Sequence, residues 1–303
     1  SRGKFTLRGD FEAEDIQLMI QALKQLGAQL ASVKEGVLFQ NDLRWMGSPK
    51  RLKLFLGNSG TSMRFLTSLV CFRRGETVLI GSARMKERPI KDLVDALRQL
   101  GAEIVYLEKQ GFPPIRVIGK GDLRGGQVKI AADLSSQFLT SLLLIEPALE
   151  HKLQLSVSGK LISQPYIHMT RSMVRRWKPG ADFVVEGDAS AAVYWWALGF
   201  LQGCTITVSN IPKVSIQGDV KFLKLLQRLK QRKTKRLMRC VLSFSICCKR
   251  ARRKKRSITI SCNLMPQFSW RTMRGTKTRV TRQCAFWKSQ YSRHAKKYPR
   301  NSK

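Results

Sequence analysis

The sequence predicts an α/β protein assembled from repeated units, and three observations carry that expectation. The first is a duplication: ALKQLGAQL at 22–30 recurs as ALRQLGAEI at 96–104. The second is helical spacing within each copy. Ile16, Met19, Ile20, Leu23 and Leu26 lie on one face, and Leu93, Ala96, Leu97 and Leu100 on another. The third is a set of short apolar and β-branched runs at 77–80, 128–130, 153–157 and 205–208, which read as strands. In each copy the order is helix, Gly-Ala, strand. Gly27 and Gly101 are expected to stop their helices, because a residue without Cβ makes the sharp turn at little cost. Self-similarity of this kind marks a repeated supersecondary unit.

The chain has 303 residues, 43% of them hydrophobic and 25% charged, which excludes a wholly disordered, collagenous or coiled-coil protein. That length holds two ordinary domains or one large one. With no apolar run of about 18 residues, no transmembrane helix is expected. SRGKFTLRGD has no apolar stretch, so no signal peptide is expected, and an opening on Ser1 suggests that the true start lies upstream. Seven irregularly spaced cysteines suggest a reducing compartment.

The net charge of +36 is unevenly placed. Residues 1–229 hold 32 Lys and Arg against all 20 Asp and Glu; residues 230–303 hold 24 Lys and Arg and no acid after Asp219. Five cysteines, Cys240, Cys247, Cys248, Cys262 and Cys284, also lie in this last stretch. One reading is a basic arm for nucleic acid, with Trp270, Phe286, Trp287 and Tyr291 as stacking residues. The other is a segment translated out of frame. Runs of the acidic codons GAA and GAG become AAG and AGA, so acids give way to Lys and Arg. Composition favours the second reading, since neither helical nor alternating periodicity runs through the tail and no metal-ligand spacing occurs.

Three helix starts carry candidate chemistry. In LGNSGTSMRFLTSLV, 56–70, Gly57 and Gly60 permit tight turns, Thr61 or Ser62 is expected to cap the helix, and Arg64 sits in its first turn. Free N–H groups there favour an anion. No Gly-Lys-Ser/Thr follows, so this is no Walker loop, and on local sequence alone an ordinary capped helix is the favoured reading. In LSSQFLTSLLL, 134–144, Ser135, Ser136 and Gln137 offer uncharged polar groups suited to phosphate or sugar hydroxyls. In EGDASAAVYWWALGFL, 186–201, Asp188 and Ser190 are expected to cap an apolar helix, with Trp195 and Trp196 in the core. Between the first two, RMKERPIKDLVDAL at 84–97 puts Arg88 against Pro89, which is expected to open a helix. There Arg88 can offer bidentate contacts to carboxylate or phosphate. LISQPYI, 161–167, places Ser163 and Tyr166 around a proline turn. His151 and His168 have no evident partners, and no metal cluster or Ser/His/Asp spacing is seen.

Taken in order, LFLGNSGTSMRFL, RMKERPIKDLVDALRQLGAEI, PPIRV, LSSQFLTSLLL, LISQPYI, VEGDASAA and QGDVKF resemble the 5-enolpyruvylshikimate-3-phosphate synthase (3-phosphoshikimate 1-carboxyvinyltransferase) family over roughly 5–229. The sister UDP-N-acetylglucosamine enolpyruvyl transferases share the fold, but the Arg-Met-Lys-Glu-Arg-Pro and Ser-Ser-Gln-Phe-Leu runs look like the shikimate branch. The resemblance implies an enolpyruvyl transferase fold of βαβαββ units. It places a nearly complete first domain at 1–187, a remnant of the second at 188–229, and a largely disordered tail at 230–303. It implies transfer of enolpyruvyl from phosphoenolpyruvate to the 5-hydroxyl of shikimate 3-phosphate, for chorismate and aromatic amino-acid biosynthesis, with no metal or organic cofactor. It further implies a monomer in the cytoplasm, or the plastid of a plant, with no membrane partner. Nucleic acid would be bound only non-specifically, through the tail.

By the same resemblance, Asn58, Gly60, Arg88 and Gln137 contact phosphoenolpyruvate. Ser135, Ser136, Gln137, Ser163 and Tyr166 contact shikimate 3-phosphate, and Asp15, Thr61 and Arg64 support the site. The family's N-terminal Gly-Ser-Lys-Ser loop is expected upstream of residue 1. Between Arg171 and Glu186 the chain is shorter than the family pattern, as if one strand pair were lost. After about Leu229 no motif of the family is recognisable. The acid and base residues that the family places there are missing, so this chain is expected to be inactive.

Overall fold

In the computed structural model, described over residues 4–40, 51–131, 136–158, 164–178, 180–212, 214–231 and 257–261, the duplicated segment is the core of a repeating fold. The second unit shows the repeat in full: β4 (Leu52–Phe55), α2 (Gly60–Leu69), β5 (Gly75–Ile80), α3 (Lys91–Gln99), β6 (Glu103–Tyr106) and β7 (Ile115–Gly119). Its sheet runs β4-β5-β7-β6, a parallel pair extended by an antiparallel hairpin. The first unit supplies β1 (Phe5–Arg8), α1 (Glu14–Gln25), β2 (Leu30–Val33) and β3 (Gly36–Phe39), and β10 (Phe183–Val184) joins β1 in parallel. The order β10-β1-β3-β2 repeats the second sheet position by position. The third unit has β8 (Gly125–Ala131), α4 (Ser136–Ile145), β9 (His151–Ser158) and α5 (Gln164–Arg176), and among the described residues its sheet is the parallel pair β8-β9.

The expected helix-Gly-strand order holds in both copies. Gly27 and Gly101 have φ of 103° and 97°, a region that disfavours side chains, and β2 and β6 begin just beyond them. The four expected strands are found as β5, β8, β9 and β11 (Thr205–Ser209). Pro89 does not open a helix: Ile90 donates its N–H to the Gly111 carbonyl at 2.9 Å, and α3 starts one residue later. Residues 83–87 form a 3₁₀ turn anchored by buried Met85. The proline turn expected around Pro165 is the first turn of α5, where a missing N–H is harmless.

One core spans the three units. Leu54, Leu56, Met63, Leu66, Leu79 and Leu97 are fully enclosed. Helices α2 and α4 approach closely through small polar residues. Ser68 and Ser141 share a 2.6 Å bond, and Ser141 Oγ donates to the Arg64 carbonyl at 2.8 Å. Leu66 sits at the centre of this core, so Leu66→Ala should lower stability by about 2–5 kcal/mol in a denaturant titration.

Beyond Val185 the packing thins. Helix α6 (Ala189–Gln202), β11, α7 (Lys221–Gln231) and β12 (Ser257–Ser261) follow. Their only buried cluster among the described residues is Ala191 and Ala192, against half-buried Trp196, Val208 and Ile211. Trp196 thus packs as expected but is not enclosed, and Tyr194, Leu198 and Leu201 on the same helix are exposed. The tail is not wholly aperiodic. Alternating SITIS at 257–261 forms β12, parallel to β11 with Ile206 opposite Ile258, as β-branched alternation favours. The rest of the expected disordered tail lies outside the described residues.

Candidate anion-binding site

Parallel strands β4 and β5 end side by side, and the loops that follow them are tied together by a 2.8 Å bond from Ser82 N–H to the Gly57 carbonyl. Ligands of open α/β sheets gather at such carboxyl ends. The first loop leads into α2. Its cap is Ser59, not Thr61 or Ser62 as the sequence suggested. Ser59 is extended, with φ −72° and ψ 97°, and its Oγ accepts from Ser62 N–H at 3.3 Å. Thr61 and Ser62 already lie inside the helix. Ser62 Oγ donates to the Asp15 carbonyl at 3.3 Å, which is how exposed Asp15 reaches this site: through its backbone.

Two arginines converge on the start of α2. Arg64, only 4% exposed, donates from Nη1 to the Gly60 carbonyl at 3.1 Å and from Nη2 to the Pro89 carbonyl at 3.0 Å. Its Nε has no partner among the described residues, and the ring of Phe138 lies 5.9 Å from its Cζ. Burial, reinforced by the charge of Arg88, lowers its pKa from the ordinary guanidinium value to about 10. Arg88 reaches back from the second loop, donating from Nη1 to the Asn58 carbonyl at 3.1 Å. Gly60 makes that reach possible, since a Cβ built there falls inside the Arg88 guanidinium. No carboxylate among the described residues forms an ion pair with either arginine. Two cations beside free helix N–H groups, with no acid to neutralise them, form a field that favours an anion.

Gln137, in the first turn of α4, brings the third unit to this place. Its Nε2 donates to Thr61 Oγ1 at 3.5 Å, the weak end of hydrogen bonding. Half-buried Ser136 precedes it. Asn58, Gly60, Thr61, Arg64, Arg88 and Gln137 are therefore one constellation. Tyr166 stands apart on α5 with 44% exposure, joined to α4 through Thr170, whose Oγ1 donates to the Tyr166 carbonyl and lies 3.3 Å from Thr140 Oγ1. Ser135 and Ser163 lie outside the described residues.

A model of the EPSP synthase (3-phosphoshikimate 1-carboxyvinyltransferase) family matches residues 1–178 and 174–239, most of the chain. The chain belongs to the EPSP synthase family. The 3-phosphoshikimate 1-carboxyvinyltransferase of Shewanella pealeana is 40% identical over 251 residues, covering 76% of this chain and 59% of that protein. Its Shewanella woodyi counterpart is 40% identical over 253 residues, with the same two shares. In fold, the chain is similar to the EPSP synthase of Acinetobacter baumannii, with a TM-score of 0.58 at 24% identity over 74% of this chain and 55% of that one. The chain therefore spans about 59% of the length of the curated relatives it matches. The family match continues to residue 239, ten residues past Leu229, where recognisable motifs stop. Its two pieces meet at 174–178, within the interval read as shortened, where the third sheet shows no hairpin among the described residues.

Two EPSP synthase motifs legible in the sequence, VEGDASAA and QGDVKF, interlock in a way that sequence reasoning missed. Gln217 accepts from Ala189 N–H at 2.8 Å and donates to the Gly187 carbonyl at 2.8 Å and to Glu186 Oε2 at 3.2 Å. Ser215 Oγ donates to the same carboxylate, and Ser190 Oγ donates to Asp219 Oδ2 at 2.9 Å. Asp188 caps α6 as expected, accepting from Ser190 N–H at 2.8 Å. Truncating Gln217 to Ala leaves the Ala189 N–H and Gly187 carbonyl unpaired. It should cost about 1–3 kcal/mol locally, seen as faster hydrogen exchange at Ala189.

Proposed function

We propose that the whole protein transfers the enolpyruvyl group of phosphoenolpyruvate to the 5-hydroxyl of shikimate 3-phosphate, with release of phosphate, and that this chain carries the anion-gripping half of the site. The observation that carries the reading is the pair Arg64 and Arg88, drawn together at the start of α2 with no carboxylate partner among the described residues. Both substrates are anions, and charge-assisted bonds from guanidinium and helix N–H groups are the strong contacts for phosphate and carboxylate. In this assignment Asn58, Gly60, Arg88 and Gln137 meet phosphoenolpyruvate. Ser135, Ser136, Gln137, Ser163 and Tyr166 meet shikimate 3-phosphate, while Asp15, Thr61 and Arg64 shape the loop and its field.

The domain reading belongs to the same proposal. Residues 1–187 form one domain, 188–229 begin a second, and 230–303 are an out-of-frame translation. The sparse cluster around Ala192, the exposed Tyr194 and Leu198, and the absence of any acid after Asp219 support it. Translating the other two frames of the coding sequence from about residue 230 onward tests it. Acid-rich, family-like sequence is expected there, and its absence would leave a genuine basic arm. For the site, titration calorimetry with phosphoenolpyruvate and with inorganic phosphate should show binding to the full chain that Arg88→Ala weakens. Equal binding by the variant contradicts the assignment.

A further inference from the structure

The third unit is unfinished at one edge. In the first two sheets, the second strand of the parallel pair is flanked by an antiparallel hairpin, β3-β2 beside β1 and β7-β6 beside β5. Strand β9 occupies the same position beside β8, yet from α5 the chain runs on to β10 without forming a hairpin among the described residues. The opposite edge of this small sheet is closed by a side chain. Gln99 Oε1 accepts from Lys129 N–H at 2.9 Å, and Gln99 Nε2 donates to the Lys129 carbonyl at 3.1 Å, as a neighbouring strand would do. No backbone or side-chain group among the described residues does this for the outer edge of β9.

The missing layer also leaves space. Helix α5 is tied down through Thr170 and Ile167, and beyond them a hollow of about 420 Å³ opens between α5 and β9. Leu143, Leu153, Leu155 and Val174 line it, with Lys152 and exposed Arg171 and Arg175 as its cations and Glu146 as the carboxylate they outnumber. A second hollow of about 240 Å³ shares Leu143, Leu155 and Arg171 with the first and extends it toward Val157. Neither rim arginine forms an ion pair with an acid among the described residues. An eight-residue open edge above an apolar trough with a cationic rim is a complete set of terms for strand addition: backbone bonds for affinity, alternate pockets for specificity, and charge for selection.

We propose that this edge takes up an extended segment of another protein, antiparallel to β9, apolar at the residues entering the trough and acidic where it passes Arg171 and Arg175. Direction follows from the other two sheets, in which the strand at this place is antiparallel. Charge selects the partner. Residues 230–303 contain no acid, so the chain's own tail would set like charge against the rim. A second copy, itself at +36, would bring trough against trough and fill neither.

The probe is a fluorescein-labelled peptide in which Thr alternates first with Val and then with Glu, titrated into the full chain by anisotropy. Replacing its Glu by Lys, or N-methylating alternate amides to remove the strand bonds, should each weaken binding about tenfold or more. Arg171→Glu with Arg175→Glu, both at exposed positions, should reverse the preference and favour the Lys peptide. In hydrogen exchange, alternate amides of 152–158 should exchange fast in the free chain and slow when the peptide is added. The proposal is overturned by any of three results: no binding, equal binding of all peptides, or edge amides already protected in the free chain. The last would mean that the chain's own residues or a second copy fill the edge.

Discussion

Incubated with phosphoenolpyruvate and shikimate 3-phosphate, the chain should release no phosphate above the uncatalysed background. The reaction must move protons on and off carbon and oxygen, and a positioned acid or base contributes roughly 10²–10⁴-fold each. No Asp or Glu follows Asp219, and the acids just before that point are already engaged. Glu186 accepts from Ser215 and Gln217, Asp188 caps α6, and Asp219 accepts from Ser190. They brace a turn between two motifs. The family resemblance places one proton acceptor and one proton donor after Leu229; without both, kcat should fall at least about 10⁴-fold below that of a full-length relative. A steady-state phosphate assay measures this, and release that depends on both substrates would contradict it. Persistent anion binding in the same preparation would separate loss of chemistry from loss of fold.

The legible part of this protein was whatever repeats or punctuates. The copies at 22–30 and 96–104 announced the unit, and Gly27 and Gly101 its turn, because positive φ demands glycine wherever it falls. Sheet order was not legible. That β10 returns to pair with β1, across most of the chain, is a long-range choice that local pattern does not encode. At the site, the polar residues of α2 were visible but their division of labour was not. Whether Ser59, Thr61 or Ser62 caps depends on one backbone angle, and each is a good capping residue by type. For Arg64 the sequence shows only a place in the first turn of a helix. Only packing against Phe138 and Met85 reveals that it is enclosed. Gln217 was hidden for a similar reason, since its partners lie about thirty residues away in a different motif.

Gly60→Ala should leave the fold intact and weaken anion binding nearly as much as Arg88→Ala. All three atoms nearest to a Cβ at Gly60 belong to the Arg88 guanidinium, the far end of a flexible side chain, so the arginine yields and the backbone does not. Ala is the better helix former by about 1 kcal/mol in a helix interior, and melting should not fall. A charge-assisted bond from Arg88 to the anion is worth about 1.5–3 kcal/mol, so its removal should lower affinity for phosphoenolpyruvate roughly 10- to 100-fold by calorimetry. Because both substitutions remove the same bond, the double variant should bind no more weakly than either single one. Undiminished binding by Gly60→Ala would mean that Arg88 does not hold the anion. The pH profile supplies an independent check. Burial lowers the pKa of Arg64 from the ordinary guanidinium value to about 10, so between those two values the unfolded chain binds the extra proton and stability from this group rises with pH. A bound anion opposes that shift by favouring the charged form. Its stabilising effect should therefore be level from neutral pH to about 9 and decline above about 10, as Arg64 loses the proton that holds the ligand. In Arg64→Met the decline should vanish, because the enclosed cation that titrates there is gone.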